Sequence, residues 1–389
     1  MSRIAIITSH PIQYNAPLFN RLAGMDNITI KIFYTAGIRH SADDAGFGRK
    51  IQWDIPLFEG YEHEFLYNKS GNPGLGKFQG IRNPKILDRI NEFKPDIVWI
   101  YGWSYASHLK ALRHFSGKIP IWFRGDSTLL DEKPGMKRII RRQFLNWIYR
   151  YVDKVLYVGQ ANKAYFEAHG IRENQLVFVP HAVDNDHFYD SPGKGYQKKA
   201  RQGRIDLGIS EEAIVFLFAG KFIPKKDPLL LINAFKQLND STNQQINLIL
   251  VGNGPLESRL KKAADGYPNI LFLPFQNQSL MPVVYRMGNV FVLPSRGPGE
   301  TWGLAVNEAM ACSRPVIAST KTGCRGDLVR DGYNGYGFTA DDKQDLRHVM
   351  FRMLGEDLKS MGKRSGEIIA EWSYDVILKG IQKILKADG

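Results

Sequence analysis

Residues 290–311 read VFVLPSRGPGETWGLAVNEAMA. The apolar run from Val290 to Leu293 stops at Pro294-Ser295, a loop of glycine and proline follows, and from Leu304 the residues are helix formers. That succession is strand, loop and helix, the repeating unit of a parallel α/β sheet. Glycines around a helix start leave backbone N–H groups open to an anion, and the helix dipole adds to the attraction. Gly303 and Leu304 are therefore candidate phosphate-contacting amides, with Thr301 beside them. Glu300 precedes the helix and Glu308 lies within it, so the two carboxylates can reach different hydroxyl groups of one extended ligand. Read without their neighbours, the same residues are a helix-capping acid and a surface acid.

Short runs rich in Ile, Val, Phe and Tyr alternate with amphipathic stretches along the whole chain. This is the pattern of doubly wound α/β domains. Strands are predicted at 3–9, 28–34, 96–101, 119–124, 155–158 and 176–180, then at 214–219, 246–251, 270–273, 290–293 and 315–318. Between the two series, residues 188–203 are polar, rich in Gly and Lys, and without apolar period, which reads as a linker. The 389 residues divide into a Rossmann-like domain over 1–187, the linker, a second Rossmann-like domain over 204–365, and a C-terminal helix over 366–389 expected to cross back to the first. Such folds bind ligands beyond the carboxyl ends of their strands, so two in tandem are expected to face a central cleft.

The excess of 52 Lys and Arg over 39 Asp and Glu gives a formal net charge of +13. It invites nucleic acid, an anionic membrane or a polyphosphate substrate. No zinc-finger, RNP-type or basic-zipper signature is present, which excludes the common nucleic-acid modules. The opening MSRIAIITSHPIQYN has too short an apolar run for a membrane span and no cleavage-site pattern. The two cysteines, Cys312 and Cys324, lack zinc-ligand spacing and fit free thiols in a reducing, cytoplasmic compartment.

The second series of strands opens into AGKFIPKKD, residues 219–227. Gly220 at the strand end, with Lys221 and Lys226, can aim two ammonium groups at a diphosphate; a solvated basic loop is the plain alternative. Together with Val251-Gly252-Asn253-Gly254-Pro255-Leu256, the Val290–Ser295 strand end and the E-x7-E pair Glu300 and Glu308, this stretch resembles glycosyltransferase family 4 of the retaining enzymes. Weaker similarity reaches the first half through Val179-Pro180-His181-Ala182-Val183-Asp184 and Ser9-His10-Pro11-Ile12-Gln13-Tyr14-Asn15.

The resemblance implies a GT-B fold, with the nucleotide bound by the second domain and the acceptor by the first. It gives Glu300 the donor-sugar hydroxyls, Glu308 the ribose, and Lys221 and Lys226 the diphosphate, with Gly220, Gly252, Asn253, His10 and Gln13 near the donor. Lys221 departs from the commoner arginine, and His10–Asn15 from a glycine-rich loop. Where many members carry a histidine this chain has Arg124-Gly125-Asp126-Ser127, so Arg124 and Asp126 are candidates to face the sugar, a salt bridge being the alternative. His108 is the next candidate there, although a lone helical histidine is more often structural.

The implied reaction is retaining transfer of a hexosyl group from a nucleotide-diphosphate sugar to a glycan or polyprenyl-linked acceptor, as in bacterial surface polysaccharide synthesis. No Asp-x-Asp pair stands at a strand end, so neither metal nor other cofactor is expected, and lysines and amides must stabilise the leaving diphosphate. A GT-B nucleotide-sugar epimerase and a non-catalytic nucleotide-sugar-binding protein are the alternatives. A nicotinamide dehydrogenase is disfavoured because the strand-end turns lack G-x-G-x-x-G. Finally, KPGMKRIIRRQFLNWIYRY, residues 133–151, sets a basic cluster beside Ile140, Phe144, Trp147, Ile148 and Tyr151 at helical spacing. It reads either as a core-facing stripe or as a peripheral contact with an anionic membrane on the cytoplasmic face.

Overall fold

Runs of β-branched and aromatic residues become two parallel sheets, each flanked by helices, in a computed structural model that describes residues 1–37, 43–44, 49–50 and 52–387. The first sheet holds β1 (Ser2–Thr8), β2 (Ile28–Tyr34), β3 (Glu62–Phe65), β4 (Ile97–Tyr101), β5 (Ile121–Arg124), β6 (Lys154–Tyr157) and β7 (Leu176–Phe178), in the order β3-β2-β1-β4-β5-β6-β7. The second holds β8 (Ile214–Ala219), β9 (Ile246–Val251), β10 (Ile270–Leu273), β11 (Val290–Leu293), β12 (Val316–Ser319) and β13 (Gly335–Phe338), in the order β10-β9-β8-β11-β12-β13. In each, the strand order reverses beside the first strand. Ile6 of β1 pairs with Ile32 of β2 and Trp99 of β4, and Phe216 of β8 with Leu248 of β9 and Val290 of β11. That reversal is the switch point at which doubly wound sheets open a ligand crevice.

The strands are apolar on both faces because helices cover both faces. In the first core Phe33, Ile100 and Phe123 pack with Leu112, Leu145 and Phe166; in the second Phe216, Leu250 and Val292 pack with Leu231, Phe235 and Met350, all fully buried. Burying each such side chain contributes about 2 kcal/mol to holding the helices against the sheets.

The chain divides into one unit of Met1–Asp43, Ile55–Pro180 and Tyr374–Gly389 and another of Asp44–Asp54 and His181–Ser373. The division after Pro180 corrects the expected boundary at 187, and the expected linker over 188–203 is folded. Phe188 ends a short helix, Asn185–Phe188, and Tyr196–Asp206 is a helix of the second unit. Its contact face is small: Ala200 is buried, and a Cβ on Gly203 would stand 3.3 Å from the Met287 sulfur. The Asp190 carboxylate accepts the N–H groups of Tyr196 and Gln197 at 2.8 and 2.9 Å, which starts the helix without an apolar signal. The expected helix over 366–389 is also two elements. Leu358–Ala370 belongs to the second unit and Tyr374–Ala387 to the first, where Tyr374 Oη–H donates to Tyr14 O (2.9 Å) and Asp375 pairs with Arg21 (3.0 Å). Residues 388–389 lie outside the described ones.

The basic stretch over 133–151 forms the helix Met136–Tyr149. Its core face is Leu145, Ile148 and Tyr149, so Ile148 leaves the stripe read from the sequence. Ile140 and Phe144 remain 64% and 44% exposed, joined by Met136 and Ile139. Among the described residues no helix is long and apolar enough to cross a membrane.

Candidate active site in the second unit

All strands of the second sheet run the same way, so the turns after β8, β9, β11 and β12 gather along one edge. The turn after β8 is locked to the turn after β9. Gly220 N–H donates to Val251 O and Phe222 N–H to Asn253 O, both at 2.9 Å. Gly252 has φ 147°, and a Cβ there would come 2.0 Å from the Gly220 carbonyl oxygen, so only glycine fits. From this turn the 3-10 segment Pro224–Lys226 carries the lysines. Lys225 Nζ donates to Gly299 O at 3.0 Å, and its carbonyl accepts Arg296 N–H at 3.0 Å, which binds the segment to the loop after β11.

Lys226 Nζ then lies 2.7 Å from Glu300 Oε2, which also accepts Ser295 Oγ–H at 3.0 Å. Glu300 is 6% exposed. Burial alone would raise its pKa, but the Lys226 ammonium, the Lys225 charge and the Ser295 hydroxyl together hold it below the ordinary carboxylate value. Both bonds fall on Oε2, and among the described residues no donor reaches Oε1. Glu300 is thus an ionised acceptor with one oxygen engaged and the other free to meet a hydroxyl group. The loop that carries it is clamped from behind by Gly323 N–H on Glu300 O and Cys324 N–H on Trp302 O, both at 3.0 Å. Gly303 follows at φ 101° and starts the helix Leu304–Ala311; a Cβ there would lie 2.9 Å from the side chains of Leu293 and Thr322.

Inside that helix Glu308 is buried, with Tyr285 Oη–H donating to Oε2 at 2.6 Å and Gln278 Nε2–H to Oε1 at 3.2 Å. Neighbouring Asn307 is an anchor: it accepts Trp302 Nε1–H at 2.8 Å and donates to His181 O at 3.0 Å. Tyr285 and Gln278 escaped the sequence reading, since neither sits in a motif. Ser295 was visible only as a strand end. The Asn253 side chain is committed to the turn, accepting Phe275 N–H at 2.9 Å and donating to Glu257 at 3.0 Å. Lys221, Thr301 and Leu304 are half-buried along the same edge.

The remaining candidates belong to the first unit, at the carboxyl edge of its own sheet. His10 and Gln13 follow β1, with His10 Nδ1 2.8 Å from Ser9 Oγ. Arg124 ends β5 as a buried staple, donating to Val179 O at 2.8 Å and Pro180 O at 3.0 Å, while Asp126 is exposed. Burial lowers the Arg124 pKa, and the neighbouring Tyr101 and Asp126 only partly oppose that. His108 is fully buried between Thr35 Oγ1 (2.8 Å) and the carbonyls of Tyr101 and Gly102 (3.0 Å each); burial pulls its pKa down to about 4, so it is a neutral structural histidine. Cys312 and Cys324 are buried free thiols, and among the described residues no cluster of His, Cys, Asp or Glu could hold a metal ion.

The family model described as Glycosyl transferases group 1 matches residues 200–371, and that described as Glycosyltransferase Family 4 matches residues 56–187. An uncharacterized glycosyltransferase of Methanocaldococcus jannaschii is 30% identical over 350 residues, 86% of this chain and 90% of that protein. The lipopolysaccharide 1,2-N-acetylglucosaminetransferase of Salmonella typhimurium is 31% identical over 60% of this chain and 62% of its own length. The D-inositol 3-phosphate glycosyltransferase of Geodermatophilus obscurus is 30% identical over 54% of this chain and 47% of its own length. Among solved structures, sucrose-phosphate synthase from Thermosynechococcus elongatus superposes with TM-score 0.74 at 19% identity, and Anabaena HepE in complex with UDP and glucose with 0.71 at 19%, each over the whole of both chains. The chain belongs to the group 1 and family 4 glycosyltransferases, with the GT-B fold of two Rossmann-like domains.

Proposed function

We propose that the enzyme is a metal-independent, retaining hexosyltransferase that moves a sugar from a nucleotide diphosphate to a glycan or lipid-linked glycan. The observation that carries this reading is the cluster of Lys226, Glu300 and Ser295 beside Gly303 at the carboxyl edge of the second sheet. Glu300 Oε1 accepts a donor-sugar hydroxyl while Lys226, already fixed at Oε2, presents its remaining N–H groups to the diphosphate. As the bond from the anomeric carbon to the phosphate oxygen breaks, the growing negative charge is met by Lys226, Lys221 and the amides around Gly303. The acceptor oxygen attacks on the face that the phosphate leaves, and its proton passes to the departing phosphate oxygen. Glu308, its carboxylate aimed by Tyr285 and Gln278, takes the ribose hydroxyls.

HepE is solved with UDP-glucose, which makes uridine donors the first to try. A glycolipid acceptor is favoured by relatives such as the monoacylated phosphatidylinositol monomannoside mannosyltransferase of Corynebacterium glutamicum, 26% identical. The exposed Met136, Ile139, Ile140 and Phe144 beside Lys133, Lys137 and Arg141 suit an anionic lipid surface at the cytoplasmic face of the plasma membrane, as part of surface polysaccharide synthesis.

A panel of nucleotide sugars, screened for thermal stabilisation and then for transfer in EDTA with the product anomer read by NMR, tests the reading. An inverted anomer refutes retention, and activity lost in EDTA and restored by Mn²⁺ refutes metal independence. An isomerised donor with no acceptor consumed identifies an epimerase, and stabilisation without turnover a binding protein.

A further inference from the structure

At the amino-terminal edge of the second sheet, away from Glu300, a cavity of about 700 Å³ opens between the turns entering β11 and β12 and the helix Leu358–Ala370. Glycine brings that helix against the turn: a Cβ on Gly362 would lie 2.2 Å from Ser313 O. Arg314, Lys359 and Lys363 line the space with Ser313, Ser360 and Asn289. Among the described residues none of these three cations has a carboxylate in an ion pair. Asp357, which caps the helix, is occupied by Ser360, accepting its N–H at 3.0 Å and its hydroxyl at 2.6 Å. Asn289 Oδ1 is taken by Val215 N–H at 2.8 Å and by Arg204 at 3.2 Å, which leaves its Nδ2 as a donor.

Arg314 is the fixed point of the cluster. Its Nε–H donates to Cys312 O at 3.0 Å and its Nη1–H to Gly288 O at 3.3 Å, so one guanidinium closes the ends of the helices Leu304–Ala311 and Met281–Met287 and keeps Nη2 uncommitted. Burial first, and then the charges of Arg286 and Arg204, pull its pKa down to about 10 against the opposing effect of Cys312, and a bound anion would favour its charged form.

We propose that this cavity binds a phosphate-bearing anion through Arg314, Lys359, Lys363, the Ser313 hydroxyl and Asn289 Nδ2, at a site separate from the donor diphosphate. Its volume is within the range of sites that hold small metabolites. The phosphoryl group belongs either to a soluble metabolite or to a lipid headgroup.

The test titrates the full chain with inorganic phosphate at constant ionic strength, read by thermal shift against chloride. It compares wild type, Lys359→Gln/Lys363→Gln and Lys226→Ala. Both cavity lysines are exposed, so the double variant should melt like wild type without phosphate. The expected result is saturable stabilisation whose apparent affinity falls about tenfold or more in the double lysine variant, with donor KM unchanged and the response of Lys226→Ala intact. Equal affinity in wild type and the double lysine variant, or stabilisation lost only in Lys226→Ala, overturns the proposal. Sedimentation with phosphatidic acid vesicles, lost in the double lysine variant, assigns the phosphoryl group to lipid; binding of phosphate but not vesicles assigns it to a soluble metabolite.

Discussion

Replacing Glu300 by Gln removes a charge and keeps the shape. Ser295 can still donate to the amide oxygen, but Lys226 Nζ loses its partner at 2.7 Å while its side chain stays only 16% exposed. Breaking a fully buried pair costs about 3–5 kcal/mol; Lys226 can turn partly toward water, so about 2 kcal/mol is expected here. For a unit of this size that corresponds to about 4–8 °C in Tm. The pH dependence has a definite sign. The folded carboxyl is held below its unfolded value, so its contribution is complete above the ordinary carboxylate pKa and disappears as pH falls through the folded pKa. The gap in Tm between wild type and Glu300→Gln must therefore narrow in acid. In turnover, losing a charged acceptor for a sugar hydroxyl costs about 1.5–3 kcal/mol, or about 10- to 150-fold in kcat. Melting curves from neutral to acid pH and initial rates with saturating donor measure both. A gap in Tm that ignores pH refutes the ion-pair argument, and unchanged kcat refutes the assignment of Glu300 to the reacting sugar.

Tyr285→Phe deletes the 2.6 Å bond to Glu308 and keeps the ring, so about 2 kcal/mol of stability should be lost; donor KM should rise about tenfold with kcat nearly constant, and an unchanged KM would separate Glu308 from the donor. Gly252→Ala, at φ 147° and 2.0 Å from Gly220 O, should destabilise the second unit by about 2–4 kcal/mol, measured by urea unfolding; a neutral result would mean the two turns are not in contact. His108, with its folded pKa pulled down to about 4 from 6.5, takes its proton first in the unfolded chain. Its stabilisation is complete above pH 6.5 and falls by about 3 kcal/mol toward pH 4, a slope that His108→Gln should flatten in urea titrations.

The residues that the sequence made legible share a local frame. Glu300, Gly303 and Glu308 lie on one loop and one helix, where glycine and carboxylate spacing translate directly into position. Tyr285 and Gln278 reach Glu308 from 23 and 30 residues away, through packing that no local pattern encodes. The segment over 188–203 looked like a linker because its helix docks through Ala200 and Gly203, which leave no apolar stripe to count. Two strands were hidden for opposite reasons. Glu62–Phe65 is an edge strand held by charge, with Lys31 Nζ 2.9 Å from Glu62 and 3.3 Å from Glu64, and Arg89 2.7 Å from Glu64, so it lacks the expected alternation. Gly335–Phe338 begins with a glycine that reads as a turn but is needed because a Cβ would lie 1.8 Å from Val316 O. The reading of Arg124 as a sugar-facing residue faltered on tertiary structure as well: its guanidinium is spent on the carbonyls of Val179 and Pro180.

Within the second unit the two edges of the sheet hold their charges differently. At the carboxyl edge Lys226 is already neutralised by Glu300, and Lys225 is tied to a carbonyl. A diphosphate entering there adds negative charge to a balanced pair, so Lys226 alone does not suffice, and Lys221 with the amides around Gly303 must share the load. Keeping Glu300 ionised has the compensating benefit that its second oxygen is ready for a hydroxyl and need not lose a proton first. At the amino edge the logic is reversed: Arg314, Lys359 and Lys363 stand together with no acid paired to them. Cations without a paired acid leave their charge to be screened by solvent or by a bound anion. A donor site built from paired charge should therefore depend weakly on ionic strength, because its lysine is buried and pre-oriented, whereas occupancy of the cavity should weaken steeply with salt.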